Sequence, residues 1–373
     1  MDFEFTDDQI SLRDAVRRWV ERAFSFTRRH ALVKAGGATR AVYAELAELG
    51  LTGLAVPASH GGLGLGAVEA MVVMEELGRG LVNAPYAAGA LIAPRLLAQA
   101  GAAMQLAWLP RIADGSALVV LAQQERGARY RLDTVSTIAS QTAGGWSLAG
   151  HKSLVPAGDE ADAFLVPARL GPHAVSPLGL FLVERGRCSV RGYPTQDGAR
   201  AADVVLAATP ALLVLADAAA ALEGAADVGI AAVCAEGVGL MDQLVAITVD
   251  YMNTRKQFGV AIASFQALRH RIADVKMQLE LARSMSYYAS LKLDQPAPQR
   301  RRALSQAKVQ LGQSMRYVGQ QCIQLHGGIG MTDEASASHY FKRLTMLEPA
   351  WGDTLHHLGE VSERMQDNAG VFA

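Results

Sequence analysis

The most informative segment of the sequence is Tyr251-Met252-Asn253-Thr254-Arg255-Lys256-Gln257-Phe258-Gly259. It ends a long run of helical periodicity, and Gly259 is the type of residue that commonly stops a helix. Tyr251, Arg255 and Phe258 follow each other at spacings of about one helical turn, which predicts that they share one face. The guanidinium of Arg255 offers a planar fork for a phosphate, although an isolated arginine is more often a surface ion-pair residue.

A second stretch lies beyond the next helical patterns and reads Gln324-Leu325-His326-Gly327-Gly328-Ile329-Gly330-Met331-Thr332. Three glycines directly after a long helix allow the backbone to approach a ligand closely, because no Cβ intervenes. Taken alone, the same residues are also typical of an ordinary helix stop. Neither stretch alone therefore indicates a binding site, and the two have to be interpreted together with the pattern around them.

Helical periodicity covers the N-terminal part of the chain and returns after about residue 210, and short apolar or alternating runs fill the middle. Thr6, with Gln9 three residues later, predicts a capping box at the start of the first helix. The predicted helices are 7–22, 41–49, 67–80, 88–100, 102–113, 218–254, 264–293 and 300–325. The predicted strands are 118–121, 134–139, 145–155, 163–168, 179–183, 188–193 and 203–206.

This order predicts an α+β chain with three domains. We expect an N-terminal α-helical domain over 1–115 and a C-terminal helical bundle over 209–373. Seven short strands separated by turn residues indicate a small antiparallel β-barrel or sandwich over 116–208.

Composition excludes several classes of protein. The chain has 373 residues, is 50% hydrophobic, carries a net charge of −1 and has no long run of like charges, so nothing favours nucleic acid or anionic lipid as a partner. The short basic runs 28–30 and 300–302 are expected on solvated faces. Three scattered cysteines indicate neither a disulfide framework nor a metal site. An acidic N-terminus and the absence of an apolar run of membrane-spanning length predict a soluble, cytoplasmic protein.

The string T-R-K-Q-F-G, followed by I-x-x-F-Q and then by Q-L-H-G-G-I-G, resembles the motif pair of the acyl-CoA dehydrogenase family. The α/β/α order is similar to that family across essentially the whole chain. The stretches 191–198 and 339–345, with Gly352-Asp353 and His356-His357, most resemble the small subunit of pimeloyl-CoA-type dehydrogenases. The resemblance implies a C-terminal four-helix bundle that builds a dimer or tetramer, FAD as cofactor, an acyl-CoA substrate oxidised between its α and β carbons, and an electron-transferring flavoprotein as electron acceptor.

The resemblance also implies which residues bind FAD. The arginine-led motif and the Gln-x-x-Gly-Gly arm of the family reach the FAD of a neighbouring subunit, whereas a hydroxyl that normally contacts the flavin is replaced here by Gln124. Leu154 and Pro156 replace the tryptophan and threonine beside the isoalloxazine, and proline has no N–H to donate. The implied cofactor-binding residues are Gln124, Arg255, Gln257, Phe258, Phe265, Gln266, Gln324, Gly327 and Gly328.

The catalytic base is the weakest part of the match. The reaction needs a carboxylate to remove the α proton, and an ungapped count from Gly327 puts the family's glutamate at Trp351. Asp353 is the predicted substitute, with a helix N-cap as an alternative at least as strong, and Glu348 is the other nearby carboxylate. A second base location known in relatives corresponds to Gly229, and the nearby Asp227 is predicted to contact substrate.

Three functions therefore remain open for the sequence. The first is a subunit of a heteromeric, FAD-linked acyl-CoA dehydrogenase whose base lies on a larger partner subunit. The second is a self-sufficient homo-oligomer that uses Asp353, and the third is a catalytically silent assembly subunit.

Overall fold

The structure, a computed structural model, describes residues 4–173 and 175–365. These residues divide into two compact units. The first, called the helical unit, takes its described residues from Met1–His30, Ala67–Val82 and Ile230–Ala373. The second, called the sheet unit, takes them from Ala31–Gly66 and Asn83–Gly229.

Each of the eight predicted helical runs contains a helix, and the capping box is confirmed, whereas the helices Phe26–Lys34, Ser336–Leu347 and Thr354–Met365 were not predicted. Gln9 donates its backbone N–H to Thr6 Oγ1 at 3.3 Å, and Thr6 donates its N–H to Gln9 Oε1 at 3.1 Å. The π-helical turn Ala87–Ile92 precedes α5. The α-helices in the described residues are α1 Asp7–Ala23, α2 Phe26–Lys34, α3 Arg40–Glu48, α4 Ala67–Arg79, α5 Ala93–Leu97, α6 Ala102–Ala113, α7 Ala219–Thr254, α8 Gln266–Lys292, α9 Ala297–His326, α10 Ser336–Leu347 and α11 Thr354–Met365.

Seven strands form the sheet of the sheet unit, and the strand runs predicted from the sequence lie in or beside them. A separate two-stranded hairpin follows α7. The strands are β1 Val119–Leu121, β2 Ile138–Thr142, β3 Gly145–Pro156, β4 Ala163–Arg169, β5 Leu178–Glu184, β6 Ser189–Pro194, β7 Arg200–Leu215, β8 Lys256–Gln257 and β9 Val260–Ala261.

The sheet closes on itself, as the barrel prediction requires. The strand order is β1-β4-β2-β3-β7-β5, β5 also pairs with β4, and β6 pairs with β7. Leu148, Phe164, Phe181 and Val204 are buried together in its core. Most pairs are antiparallel, but β1 and β2 run parallel to β4 where they meet it. The β2–β3 hairpin supplies the long connection that the parallel β1–β4 pair needs.

Strand β7 is longer than the predicted run 203–206. It pairs with β3 from Pro156↔Ala201 to Trp146↔Ala211, with two register shifts. The alanine-rich and proline-containing stretch 207–211 has weak strand propensity of its own. Pairing with the long β3 therefore extends β7 through residues whose own strand propensity is weak.

The helical unit is a bundle in which α8 and α9 lie side by side and α9 also contacts α10 and α11. Helix α4 approaches α7 closely at Gly239, where an added Cβ would lie 1.8 Å from the carbonyl oxygen of Glu75. Charges tie the same helices together, since Arg283 on α8 pairs with Glu75 and with Asp242, and Arg79 also pairs with Asp242. Small residues and ion pairs thus fix α4, α7 and α8 against one another.

Two expectations about surfaces need correction. Arg29 does not lie on a solvated face, because its side chain is buried and Nη1 lies 2.9 Å from His339 Nδ1 on α10. An apolar helix of membrane-spanning length is present after all, since α7 has 36 residues and qualifies by length and composition. Within its most apolar window 78% of the residues are buried inside the protein, as in a core helix.

Candidate functional site

The two glycine-containing stretches meet in the helical unit. The ring of His326, at the end of α9, stacks on the ring of Tyr251 near the end of α7, with 4.5 Å between centroids. His326 Nε2 also lies 3.2 Å from Thr248 Oγ1. Because that hydroxyl already donates to the Leu244 carbonyl, His326 donates to it. Burial lowers the pKa of His326, so the ring is neutral near pH 7.

A small apolar cluster lies under this stack and joins the stretches further. Met252, Ile262 and Leu325 are buried together, with Tyr251 packed against them. The C-terminal end of α7, the hairpin that follows it and the end of α9 therefore form one local framework. We call those residues within 255–266 and 324–328 that are exposed on this framework the arm.

The spacing predicted that Tyr251, Arg255 and Phe258 share one helix face, which is wrong, because α7 ends at Thr254 and a hairpin follows that presents an aromatic side chain. Gln257 pairs with Val260, and the two residues between them, Phe258 and Gly259, have φ values of 52° and 83°. Positive φ at both positions is the type I′ arrangement expected of a two-residue hairpin loop. Phe258 is 92% exposed and meets Phe265 edge to face, with centroids 6.1 Å apart. A large apolar side chain held outward in this way is suited to contact a ligand or another chain.

All the arm residues predicted to bind FAD are brought onto this framework and are exposed. They are Arg255, Gln257, Phe258, Phe265, Gln266, Gln324, Gly327 and Gly328. Gly327 has a φ of 65°, and within the described part of the chain no heavy atom outside the adjacent residues lies within 4 Å of a Cβ added at Gly327 or Gly328. Internal packing therefore does not explain why residue 328 lacks a side chain, and the bare backbone is open to approach from outside. A guanidinium, amides, exposed backbone and aromatic rings fit a dinucleotide that carries a diphosphate.

In the sheet unit, the loop that carries Gln124 is fixed by a buried carboxylate. Glu125 accepts hydrogen bonds from the backbone and hydroxyl of Ser136 and of Thr137, and Lys152 Nζ lies 2.6 Å away. Burial by itself would raise the pKa of Glu125, but Lys152 and the hydroxyl donors outweigh it and lower the pKa to about 2. The Gln124 carbonyl in turn accepts from Ser153 N at 2.8 Å. Gln124 is thus held next to β3.

The neighbouring part of β3 does not fit FAD in the way that the resemblance implies. Leu154 has a φ of 53°, its side chain is 57% exposed, and its N–H donates to the hydroxyl of Tyr193 at 3.2 Å. Pro156 is exposed and has no N–H. This surface offers no indole at 154 and no hydroxyl at 156, so the side chains that the resemblance expects beside the flavin are present in the arm and replaced here.

Asp353 lies directly before α11 and contacts its first turn. Its Oδ1 accepts from the backbone N–H of His356 at 2.8 Å, which is the capping contact anticipated as an alternative. Glu348 contacts the same turn, because its Oε1 accepts from the N–H and the hydroxyl of Thr354. The predicted role of Asp353 as a base stays a prediction.

Asp227 lies in the part of α7 that belongs to the sheet unit, and it is completely buried. Its predicted contact with substrate also stays a prediction.

Sequence reasoning missed Lys308, a completely buried lysine on α9. Its Nζ donates to the carbonyl oxygens of Leu347, Glu348 and Gly352. A signal was present, because Lys308 follows Leu304 and precedes Leu311 at helical spacing and so lies on the apolar stripe of its helix.

Comparison with known proteins supplies the family. The model of the acyl-CoA dehydrogenase N-terminal domain matches residues 6–116, and that of the acyl-CoA dehydrogenase C-terminal domain matches 219–366. The two models together cover more than half of the chain. The chain therefore belongs to the acyl-CoA dehydrogenase family, and it is an FAD-dependent oxidoreductase or a subunit of one.

Individual relatives are similar over most of their length. The acryloyl-CoA reductase (NADH) of Anaerotignum propionicum is 27% identical over 355 residues, covering 88% of this chain and 87% of that protein. Benzylmalonyl-CoA dehydrogenase of Aromatoleum aromaticum is 28% identical over 322 residues, covering 81% and 83%. A solved variant of the Tcur3481-Tcur3483 steroid ACAD has a TM-score of 0.87 and 28% identity, covering 98% of this chain and 99% of that one.

Proposed function

We propose that this chain is a subunit of a heteromeric, FAD-linked acyl-CoA dehydrogenase, in which its arm completes a flavin site whose base lies on a larger partner subunit. One contrast carries the proposal. The arm residues, led by Arg255, are exposed on a rigid framework, whereas Leu154 and Pro156 stand where flavin-contacting side chains are expected. A chain that keeps the contacts made to a neighbour and has lost contacts of its own is suited to a mixed assembly.

The residues of the arm account for cofactor binding and not for proton removal. Bound FAD would supply the hydride acceptor for the β carbon of the acyl thioester. Arg255 offers two parallel N–H donors to a diphosphate, and Gln257, Gln324 and the backbone of Gly328 offer neutral donors beside it. Phe258 covers apolar surface and excludes water. These groups bind and orient, and none of them is a base for the α proton.

The relatives support an acyl-CoA thioester as the substrate class, because two of them are named for such substrates. The two-part name of the similar steroid ACAD is consistent with an assembly of two different chains. The proposal also includes the larger partner subunit, an electron-transferring flavoprotein as electron acceptor and a cytoplasmic location.

The deciding experiment compares the chain purified alone with the chain co-expressed with a larger homologue encoded beside it. We expect flavin absorbance and acyl-CoA turnover only in the co-expressed assembly, and we expect Arg255→Ala in this chain to deplete its flavin. Flavin and turnover in the chain alone would favour a self-sufficient homo-oligomer using Asp353. A co-purified assembly whose flavin content is unaffected by Arg255→Ala would favour the silent assembly subunit.

A further inference from the structure

The segments that build the arm contain no acidic residues. No aspartate or glutamate occurs between Asp250 and Asp274, or between Asp294 and Asp333. The chain as a whole has 35 basic and 36 acidic residues, so these two gaps depart locally from an even balance of charge. Together they include the arm, the N-terminal part of α8 and all of α9.

The two segments meet in the helical unit. Leu268 and Ile272, in the first two turns of α8, pack against the buried cluster that contains Leu325 near the end of α9. The C-terminal end of α9 therefore lies beside the N-terminal end of α8. The surface that the two helix ends form with the arm has no carboxylate of its own.

Four basic side chains lie in the first of these segments. Arg255 and Lys256 belong to the arm, and Arg269 and Arg271 lie in the first two turns of α8. Arg271 is partly exposed and the other three are exposed. Within the residues that the structure describes, none of the four side chains forms an ion pair with a carboxylate. We call these four residues the basic group.

The neighbouring helices do not balance the charge of the basic group. The charged residues of α9 are all basic, and of these Lys308 is buried and Arg316 pairs with Glu348 at 3.5 Å. The helix dipole disfavours a cation in the first turn of a helix, where Arg269 lies, and no acidic residue occurs in that turn. Like charges gathered in this way repel one another in the isolated chain, and an anionic surface outside the chain would relieve the repulsion.

We propose that Lys256, Arg269 and Arg271 bind and steer an acidic surface of the larger partner subunit during assembly. The inference rests on the proposed function, in which Arg255 contacts a diphosphate and leaves the other three cations of the basic group without an anion. A protein surface is favoured over a free anion because the arm has to reach the flavin site of the partner subunit. Charges arranged in this way mainly raise the association rate, and their effect falls as ionic strength rises.

Association kinetics of the two purified full-length subunits test the inference. We expect the association rate constant of the wild-type pair to fall by about tenfold or more from low to high ionic strength, as in electrostatically steered pairs. Arg269→Glu should lower this rate constant about tenfold at low ionic strength with a smaller change in the dissociation rate, and Arg269→Gln should be intermediate. Glutamate is favoured in the first turn of a helix, so a folding defect would not explain slower association.

A matched control separates a local effect from a change in net charge. Arg18→Glu makes the same charge reversal at an exposed arginine on α1 and should leave the association rate close to that of wild type. A rate that neither depends on salt nor changes in Arg269→Glu would overturn the inference. Unchanged association together with weaker FAD binding in Arg269→Glu would also overturn it, because the basic group would then serve the cofactor.

The proposed function can fail separately from this inference. Wild-type subunits that do not associate under any condition would refute both. Salt-dependent association that is slowed by Arg269→Glu, in an assembly without flavin or turnover, would refute only the proposed function and would support the role of the basic group.

Competition covers the case in which one subunit is unstable when purified alone. Wild-type and Arg269→Glu copies of this chain, distinguished by mass, are co-expressed with the larger subunit. The wild-type copy should predominate in the purified assembly, and an Arg18→Glu copy should be incorporated as well as wild type. Equal incorporation of the Arg269→Glu and wild-type copies would overturn the inference.

Discussion

The imidazole of His326 lies nearly parallel to the ring of Tyr251, at 27° and 4.5 Å between centroids. These residues belong to the ends of two long helices that are far apart in the chain. Their contact joins the two glycine-containing stretches, neither of which identifies a site alone. Arg255 and Gly328 are thereby carried on one framework. The first prediction concerns the charge on that framework.

Arg255→Ala should weaken FAD binding to the assembly by about tenfold or more. A charge-assisted hydrogen bond is worth roughly 1.5–3 kcal/mol, and about 1.4 kcal/mol corresponds to a factor of ten in affinity. Isothermal titration of FAD into the apo assembly measures this directly. Arg18→Ala, which removes an exposed arginine on α1, should leave the affinity unchanged. Unaltered affinity in a correctly folded Arg255→Ala assembly would remove Arg255 from the site.

The sequence predicted several elements of local structure well because their signals are local. The helix stop at Gly327 and the capping box at Thr6 are set by neighbouring residues and lie where the patterns place them. The helix stop predicted at Gly259 was wrong, because α7 already ends at Thr254 and Gly259 lies in the loop of the hairpin that follows. The strands were also located, but the length of β7 was not, because pairing with β3 extends it through a stretch of weak propensity.

The sequence could not predict contacts between residues that are far apart in the chain. The buried position of Arg29 depends on His339, more than 300 residues later, and the three carbonyls around Lys308 come from a turn after the next helix. No spacing rule connects such groups. The conformation of Leu154 is a further case, since its N–H is held by Tyr193 from another strand.

The stability of the protein should fall at acid pH through Glu125. Its folded pKa is about 2, against an ordinary value of 4.5, so the unfolded chain binds more protons between these values. The contribution is therefore complete above about pH 4.5 and is lost as pH falls toward 2. Thermal midpoints measured from pH 6 to pH 3 should show this slope in the wild-type chain.

A double variant isolates the contribution of this pair. Removing Glu125 alone would strand a buried Lys152 at a cost of roughly 3–5 kcal/mol, so Glu125→Gln is combined with Lys152→Met. The double variant should have a shallower slope of thermal midpoint against pH. Glu184→Gln, at an exposed carboxylate ending β5, should retain the wild-type slope. A double variant with the full wild-type slope would contradict the assignment to Glu125.

Trp351→Glu should raise dehydrogenation of a suitable acyl-CoA. The substitution places a carboxylate where the family's base is expected, on a turn that Lys308 and His357 already hold. Trp351→Gln is the matched control, because glutamine has nearly the same shape as glutamate and cannot act as a base. Steady-state rates with a dye acceptor that are equal in the two variants would argue that no flavin and thioester lie beside residue 351.

The last prediction separates two roles for Asp353. If Asp353 removes the α proton, Asp353→Asn should reduce turnover by roughly 10²–10⁴-fold while leaving flavin content unchanged, since a general base contributes about that much. If Asp353 acts only as the N-cap of α11, asparagine should replace it with little change, because asparagine caps about as well as aspartate.

The observed contact between Oδ1 and the His356 N–H favours the second outcome. Asp353→Ala supplies the contrast, because it removes the cap and should cost about 0.5–2 kcal/mol of stability whether or not Asp353 is a base. Turnover and thermal midpoint are therefore measured together on both variants. A stable Asp353→Asn protein with wild-type turnover would exclude the base, and a stable one with turnover lost would establish that this chain supplies its own.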